Sequence, residues 1–539
     1  MDAVTVRALR QDLLRAGFTV DGVAELLGEQ ASAALHRDQL IPVRWHLDRQ
    51  PGSPLATLVR FFLLGEPAES TALERALPST GTHALAESGL LAGRDDSLLR
   101  AGVEIRPYAE EGGPHWWVVS DHGEPIVSGP LPADHVLGIG QASLTLADAT
   151  IRRPARRALD LGIGCGVQSL HLSRHARHVV GSDVSERALH LARLGLALSE
   201  VSVDLRSGDL FDALAGGALS STGADVNYAG AGTREPGTRE PGTREPGDAA
   251  LFDLIVSNPP FVITPRSAGL PTYTYRDGGR SGDDIVATVV RQGARHLTPG
   301  GILQALGNWE IHGSDWRRRP TQWLDQAVDP DGVPVDAWIV QREVLDPAEY
   351  AAMWARDAAA DRAQTETYIR AWLDDFARRG VDAIGLGLIT LRRPGPGTRP
   401  LRRLEEAAAR GTGPLGPHLD ACLGAHDTLP AADRDVLGLR LSVRPEVSEE
   451  RTYVPGAEDP TRITLVQSDG YARRLHLDTA MAALVGACDG SLTVGQIVAA
   501  IADLLETDID PLAARAVRTI RRLVLEGFVW ATVTSGPAG

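Results

Sequence analysis

Apolar positions recur with two distinct periods along this chain, and the change of period divides it. Near the N-terminus, Val4–Ala16, Val20–Leu27, Pro54–Leu64, Ser70–Leu77 and Thr82–Leu91 space their apolar residues as amphipathic helices do. Val103–Tyr108 and His115–Ser120 then read as a β-pair, so residues 1–129 have the element order of a winged helix. From 130 to 393 short apolar runs alternate with helical patterns. Strands are predicted at Ala158–Leu161, Val179–Asp183, Val203–Ser207, Phe252–Ser257, Ile302–Leu306, Ala337–Gln341 and Ile384–Leu391. Alternation of this kind implies an α/β domain built on a parallel sheet. Residues 394–417 are rich in Pro, Gly and Arg and read as a linker. Residues 418–539 return to mixed strands and helices and again suit a winged-helix-like module.

One interruption stands out. Thr233-Arg234-Glu235-Pro236-Gly237 is repeated twice more through Gly247, and a Pro and a Gly in every unit prevent regular packing. Residues 217–249 are therefore expected to be a disordered surface insertion.

Composition narrows the class. At 539 residues the chain exceeds a single core, and 43% hydrophobic with 23% charged residues fits a globular protein. The three cysteines, Cys165, Cys422 and Cys488, are odd in number and far apart, which suggests neither a disulfide framework nor a zinc site. No signal peptide or membrane-length apolar run is seen, so a cytoplasmic location is expected. A formal net charge of −16 argues against a general nucleic-acid coat, though not against a local basic patch. All 54 basic residues are arginine, which removes lysine-based covalent catalysis.

The chemistry concentrates at the predicted strand ends. Asp160-Leu161-Gly162-Ile163-Gly164-Cys165-Gly166 places an acid ahead of three alternating glycines. A dinucleotide fingerprint would need glycine at 167, which is valine. A carboxylate here repels pyrophosphate and welcomes an ammonium group. The second strand ends at Asp183, suited to ribose hydroxyls, and the third is followed by Asp209, Leu210 and Phe211, suited to an adenine amino group and ring. The fourth ends in Asn258-Pro259-Pro260-Phe261. Two prolines cannot continue a ladder, so they form a stiff corner that presents one amide and one aromatic ring.

Together these stretches resemble the class I S-adenosylmethionine-dependent methyltransferases, in the Asn-Pro-Pro-Phe branch that methylates planar nitrogen. That branch includes the release-factor glutamine methyltransferases and the ribosomal-RNA guanine-amino methyltransferases. The resemblance implies a Rossmann-like seven-stranded sheet over about 130–393 and S-adenosyl-L-methionine as cofactor. It implies that Gly162, Gly164 and Gly166 cradle the methionine part, with Asp160 near its amino group. It assigns the ribose to Asp183, the adenine to Asp209 beside Leu210, and catalysis to Asn258, Pro259, Pro260 and Phe261, without a metal. Residues 275–284 resemble the loop that follows the quartet in the release-factor enzymes, whereas Phe261 stands where those enzymes usually carry Tyr.

The resulting expectation is an N-methyltransferase acting on a glutamine amide of a release factor or ribosomal protein. A ribosomal-RNA base amino group is the alternative, and a non-catalytic module retaining the cofactor fold is the third. Arg152, Arg153, Arg156, Arg157 and Arg317–Arg319 are the candidate RNA contacts, or else solvated surface. Trp116 and Trp117 are either a stacking platform or one core and one wing residue. His135–Ser143 is either part of a cofactor lid or a plain linker. Asp478–Ala480, Cys488–Val494 and Leu525–Phe528 resemble peptide-binding winged-helix domains related to the pyrroloquinoline-quinone peptide chaperone, which would imply a peptide or protein partner.

Overall fold

Ala155–Leu161 (β1) forms the middle of the sheet that carries these motifs. The computed structural model describes residues 1–539 apart from 51, 96–97, 111, 124–125, 127–130, 215–250, 267–273, 359–361, 396–399 and 532–539. The repeat-bearing segment 217–249 lies outside the described residues. After β1 come β2 (Ala176–Asp183), β3 (Asp204–Ser207), β4 (Phe252–Ser257), β5 (Leu297–Ile311), β6 (Asp336–Leu345) and β7 (Ala383–Arg392).

Contacts divide the chain into two compact units. The first comprises Met1–Leu146, Pro154–Val335 and Val344–Arg393. Its described sheet runs β7–β5–β4–β1–β2–β3. The pairings from β5 to β3 are parallel, whereas β7 runs antiparallel to β5 from Ile302↔Arg392 to Ile311↔Ala383. The expected parallel sheet is therefore mixed. β5 is also longer than predicted, because β7 pairs with its residues beyond the point where β4 stops. The helices Val167–Leu172 (α1), Glu186–Leu198 (α2), Asp284–Gly293 (α3), Pro347–Ala358 (α4) and Arg362–Arg379 (α5) complete a Rossmann-like α/β arrangement. A strand buried on both faces explains the near-continuous apolar run Leu254–Val256 in β4.

Register places the chemistry on one edge. Leu161 lies opposite both Ser182 and Ser257, and Asp183 lies opposite Ser207. Four strands thus end together, at the carboxyl edge where open α/β sheets take ligands.

The N-terminal helices include Ala3–Ala16 and Val20–Leu35, the latter kinked at Gly28, where φ is 68°. A helix at Leu40–Leu47 and a small sheet of Ala68–Glu69, Leu98–Ala101 and Leu91–Asp95 were not legible in the pattern. The predicted β-pair exists as a hairpin of Glu104–Ala109 and His115–Ser120. Both tryptophans are core residues, Trp116 at 2% and Trp117 at 0% exposure, which excludes a stacking platform and a wing position alike. Trp116 stacks on Tyr108, and the Trp117 indole donates to the Phe18 carbonyl at 2.9 Å. The hairpin lies directly on α2. A Cβ at Gly195 would approach the Trp117 carbonyl oxygen at 3.1 Å, so glycine is what admits this close approach.

The second unit comprises Ala147–Arg153, Asp336–Glu343 and Pro394–Gly539. Arg402–Glu406 (β8) pairs parallel with β6, from Ala337↔Arg402 to Gln341↔Glu406, inside the segment expected to be linker. A linker was expected because the segment around this strand is rich in Pro, Gly and Arg. Its charges are paired internally: Glu405 accepts from Arg473 at 2.7 and 2.8 Å and from the Trp338 indole at 2.6 Å. Further on, the helices Thr479–Gly486, Val494–Leu504 and Ile509–Leu525 accompany a three-stranded sheet of Asp489–Thr493, Arg440–Val443 and Val529–Ala531.

Candidate active site

The turn after β1 is built by backbone conformation. Gly162, Gly164 and Gly166 have φ of 78°, 52° and 87°, a region L-residues avoid. The amides of Gly162 and Ile163 donate to the Ser182 carbonyl at 2.9 and 2.8 Å, tying the turn to the end of β2. Cβ atoms built on Gly162 and Gly164 would meet nothing within 4 Å, so the space beside them is open. Gly166 differs. A Cβ there would touch Ala192 and Leu196 of α2 at 3.7 Å, so it serves helix packing as well as the turn.

Asp160 is 1% exposed, and its Oδ2 accepts from the Ser169 hydroxyl at 2.7 Å. Its Oδ1 is buried without a hydrogen-bond partner among the described residues. Burial pushes the carboxyl up to about 7, with the Ser169 hydrogen bond acting weakly in the other direction. A buried acceptor beside an open glycine turn fits an ammonium group. Asp183 accepts from the Gly164 amide at 3.0 Å and the Ser185 amide at 2.9 Å. One carboxylate thus bridges the glycine turn and the start of α2, and burial raises its pKa.

The segment that the sequence assigns to adenine is more crowded than expected. Asp209 is exposed but accepts from Arg280 at 2.6 Å, so a ligand amino group would share it with that guanidinium. Leu210 adopts φ of 48° at the start of a 3-10 turn and is half-buried. Phe211 turns inward and stacks on His296 with centroids 4.6 Å apart, which leaves Leu210 as the residue suited to flank a ring.

The Asn258–Phe261 corner follows β4 directly. The Ser257 hydroxyl donates to the Leu161 carbonyl at 2.8 Å, fixing the strand end against β1. Asn258 is half-buried, and its Oδ1 is buried without a partner among the described residues. Pro259 is buried, while Pro260 and Phe261 are partly buried. Phe261 packs against the apolar cluster of Val262, Ile263, Tyr350, Trp372 and Phe376. The loop resembling the release-factor segment also reaches the corner, since a Cβ at Gly278 would lie 3.1 Å from Pro260 Cγ. Two orphaned acceptors therefore stand at one edge, Asp160 Oδ1 on β1 and Asn258 Oδ1 just past the end of neighbouring β4. Val256 is the partner of Asp160 in the ladder, two residues before Asn258.

His135–Ser143 is tied to the same region. The Gln168 amide on α1 donates to the Ser143 carbonyl at 2.7 Å, and the Val136 amide donates to Asp121 at 2.9 Å. Sequence reasoning missed Ser169, Gln168 and Arg280. Ser169, with Gln168 beside it, lies in the first turn of the helix after the glycines, on the side from which α1 meets the acid, a position that could have flagged it. Arg280 is 71 residues from its partner and left no local signal.

The candidate RNA contacts are dispersed. Arg156 and Arg157 open β1, about 15 Å from its carboxyl end at 3.3 Å per residue. The Arg157 guanidinium lies over the Phe252 ring at 5.0 Å. Arg153 pairs with Asp420, Arg319 with buried Asp283, and Arg317 lies over Trp316. Among the described residues no group of three or more His, Cys, Asp or Glu side chains is placed to hold a metal ion. No helix among them is long and apolar enough to cross a membrane.

Residues 138–220 match the family described as "Methyltransferase small domain", a stretch holding Asp160, the glycine turn, Asp183 and Asp209 but ending before Asn258. Residues 15–102 and 426–531 each match a domain of unknown function. A ribosomal protein uL3 glutamine methyltransferase of Xanthomonas campestris is 31% identical over 170 residues, covering 30% of this chain and 44% of that protein. A ribosomal RNA small subunit methyltransferase C of Alcanivorax borkumensis is 24% identical over 253 residues, covering 47% and 57%. A release factor glutamine methyltransferase of Deinococcus radiodurans is 28% identical over 254 residues, covering 42% and 77%. The chain spans about half the length of the first two of these relatives. Its acid–glycine turn lies within the stretch that matches the methyltransferase small domain, and its Asn-Pro-Pro-Phe corner lies on the same sheet edge in the continuation of that stretch, so over this domain the chain is similar to methyltransferases of that kind.

Proposed function

We propose that this protein methylates the planar amide nitrogen of a protein glutamine side chain, in a release factor or ribosomal protein. The observation that carries the reading is the orphaned, buried Asn258 Oδ1, just past the end of the strand neighbouring the one that holds the orphaned Asp160 Oδ1. S-adenosylmethionine supplies an electrophilic methyl group when bound. Asp160 would hold its amino group, Gly162 and Gly164 leave room for its methionine portion, and Asp183 and Asp209 would take ribose and adenine, with Leu210 against the ring.

An amide nitrogen is a poor nucleophile because its lone pair is delocalised. Asn258 Oδ1 and the Pro259 carbonyl would accept its two N–H bonds and stabilise the charge that grows on nitrogen during transfer. Pro259 and Pro260 stiffen the corner so that these acceptors do not retreat. Phe261 covers the planar group and adds a cation–π contribution. Alignment of the nitrogen with the incoming methyl supplies the larger share of the acceleration.

Dispersal of the arginines favours a protein over RNA: Arg156 and Arg157 sit at the far end of β1, and Arg319 is neutralised by Asp283. The net charge of −16 points the same way. Phe261, where the glutamine-directed enzymes that the chain resembles usually carry Tyr, favours the second reading, a base amino group of ribosomal RNA. For the flanking parts we propose recognition modules at 1–129 and 418–539 around a catalytic domain at 130–393. The three helices and three-stranded sheet near the C-terminus support a winged-helix reading there. Three free, buried cysteines suit a cytoplasmic setting.

The test is transfer of labelled methyl from S-adenosylmethionine into a lysate lacking this gene, divided between ribonuclease and protease. Label should vanish with protease and be recovered as methylglutamine. Label that vanishes only with ribonuclease would sink the amide reading.

A further inference from the structure

Both polar groups of one backbone residue beyond the catalytic corner are held by side chains from a helical hairpin. The Ile263 amide donates to the Tyr350 hydroxyl at 2.9 Å, and the Trp372 indole donates to the Ile263 carbonyl at 2.8 Å. Tyr350 comes from α4 and Trp372 from α5, which together form the connection between β6 and β7. The same tyrosine hydroxyl accepts from the Asn308 side chain at 2.8 Å. Asn308 lies on β5, three residues past Ala305, the partner of Ser257 at the end of β4. One hydroxyl therefore links the hairpin, the neighbouring strand and the segment that follows Phe261.

All four residues are deeply buried: Tyr350 and Ile263 at 0%, and Asn308 and Trp372 at 1% exposure. Upstream, the segment is fixed by the Ser257 hydroxyl on Leu161. Between, the Val262 amide donates to the Arg276 carbonyl at 2.9 Å. Residues 258–261 thus span two anchored points, and only the downstream anchor is made by side chains from α4 and α5. An apolar cluster can hold a loop near its place, but dispersion contacts lack direction. Two hydrogen bonds to a single peptide residue define both its position and its rotation.

We propose that Tyr350 and Trp372 are positioning residues for methyl transfer, acting through the Ile263 backbone on the aim of Asn258 and Phe261. The inference rests on the proposed role of the corner, and it assigns the hairpin connecting β6 to β7 a part in turnover. In this role Tyr350 and Trp372 act on the corner through the Ile263 backbone. Their effect belongs in kcat, with cofactor affinity unchanged, because Asp160, Asp183 and the glycine turn lie on other strands.

The experiment compares Tyr350→Phe with Val381→Ala in the full chain. Val381 belongs to the same apolar cluster but makes no side-chain hydrogen bond. A 1 Å misplacement of a reacting group costs about 100-fold in rate, so Tyr350→Phe should lower kcat at least about tenfold. Its calorimetric affinity for S-adenosylmethionine should match wild type. Val381→Ala should lower the melting temperature without a comparable loss in kcat. Hydrogen–deuterium exchange supplies a readout that needs no substrate: the Ile263 amide should exchange at least about tenfold faster in Tyr350→Phe and not in Val381→Ala. Unchanged exchange at Ile263, or a kcat loss no larger than that of Val381→Ala, overturns the proposal. Trp372→Phe removes the donor to the Ile263 carbonyl and gives the same comparison of kcat with Val381→Ala where Tyr350→Phe does not fold. A wild-type protein that transfers no methyl group refutes the reading of the corner instead, and the exchange measurement still decides whether the clamp exists.

Discussion

Replacement of Asp160 by Asn should stabilise the cofactor-free protein at alkaline pH while destroying its affinity for cofactor. The carboxyl is 1% exposed and is raised from 3.8 to about 7 in the folded chain, chiefly by burial. As pH rises past 3.8 the unfolded chain ionises freely in water, whereas the folded chain keeps its proton until about 7. Wild-type stability from this group is therefore complete below the unfolded value, falls across that window, and is flat above it. One pKa unit corresponds to about 1.4 kcal/mol, so ionised Asp160 costs the cofactor-free fold about 4 kcal/mol at pH 8. Asn has the same shape and no charge, but its amide N–H groups inherit the unpaired position at a cost of about 1–3 kcal/mol. That cost does not depend on pH and cancels when two pH values are compared. Between pH 5 and pH 8 the advantage of the variant should grow by about 3 kcal/mol, from the two units between pH 5 and the folded pKa. Urea denaturation of both proteins without cofactor, at those two pH values, measures it. A difference between variant and wild type that does not change with pH would refute the reasoning, because it would mean that Asp160 ionises as readily in the fold as in water.

Asn258→Ala should lower methyl transfer by at least about 100-fold, the usual cost of one preorganised polar group at a developing charge, with calorimetric cofactor affinity near wild type. Transfer retained at half the wild-type rate would remove Asn258 from its assigned role. Gly164→Ala adds a Cβ at φ of 52° into space that is empty within 4 Å. It should cost about 1–2 kcal/mol of stability from backbone strain and weaken cofactor binding more than tenfold, as read by melting and calorimetry. In the second unit, Glu405 is held down at about 2, where Arg473 and Arg403 outweigh the effect of burial. Its contribution is present above the usual carboxylate range and is lost as pH falls toward 2, and Glu405→Gln should destabilise this unit by about 3–5 kcal/mol at neutral pH. A variant with unchanged denaturation at pH 7 would show that the ion cluster adds no net stability.

What could be read in the sequence depends on the range over which each group acts. The acid–glycine turn, Asp183 and the Asn-Pro-Pro-Phe corner were legible because backbone sterics and strand ends are local: a positive φ at Gly162 or a missing N–H at Pro259 needs no distant partner. The partners of these groups were not legible. Arg280 meets Asp209 across 71 residues, and Tyr350 meets Ile263 across 87, and neither carries a periodic or compositional mark. Trp116 and Trp117 adjoin in a strand, where side chains alternate, so one ring was expected outside; Trp116 is instead covered by Tyr108 and by His171 of α1, and Trp117 by Arg10 and Phe18 of the N-terminal part, so both are buried. The charged strand β8 misled in the opposite sense, because its carboxylate finds Arg473 and Trp338 only after folding. The same distinction bears on mechanism. Local motifs set which atom can react, since an amide and a ring past a rigid corner suit a planar nitrogen wherever they occur. Rate depends on holding that corner within a fraction of an ångström, and the groups that do so, the Ser257 hydroxyl on Leu161 and the Tyr350 and Trp372 clamp on Ile263, come from three other elements. Two chains with the same quartet can therefore share a reaction while differing widely in turnover, and the difference will lie in residues that the quartet does not contain.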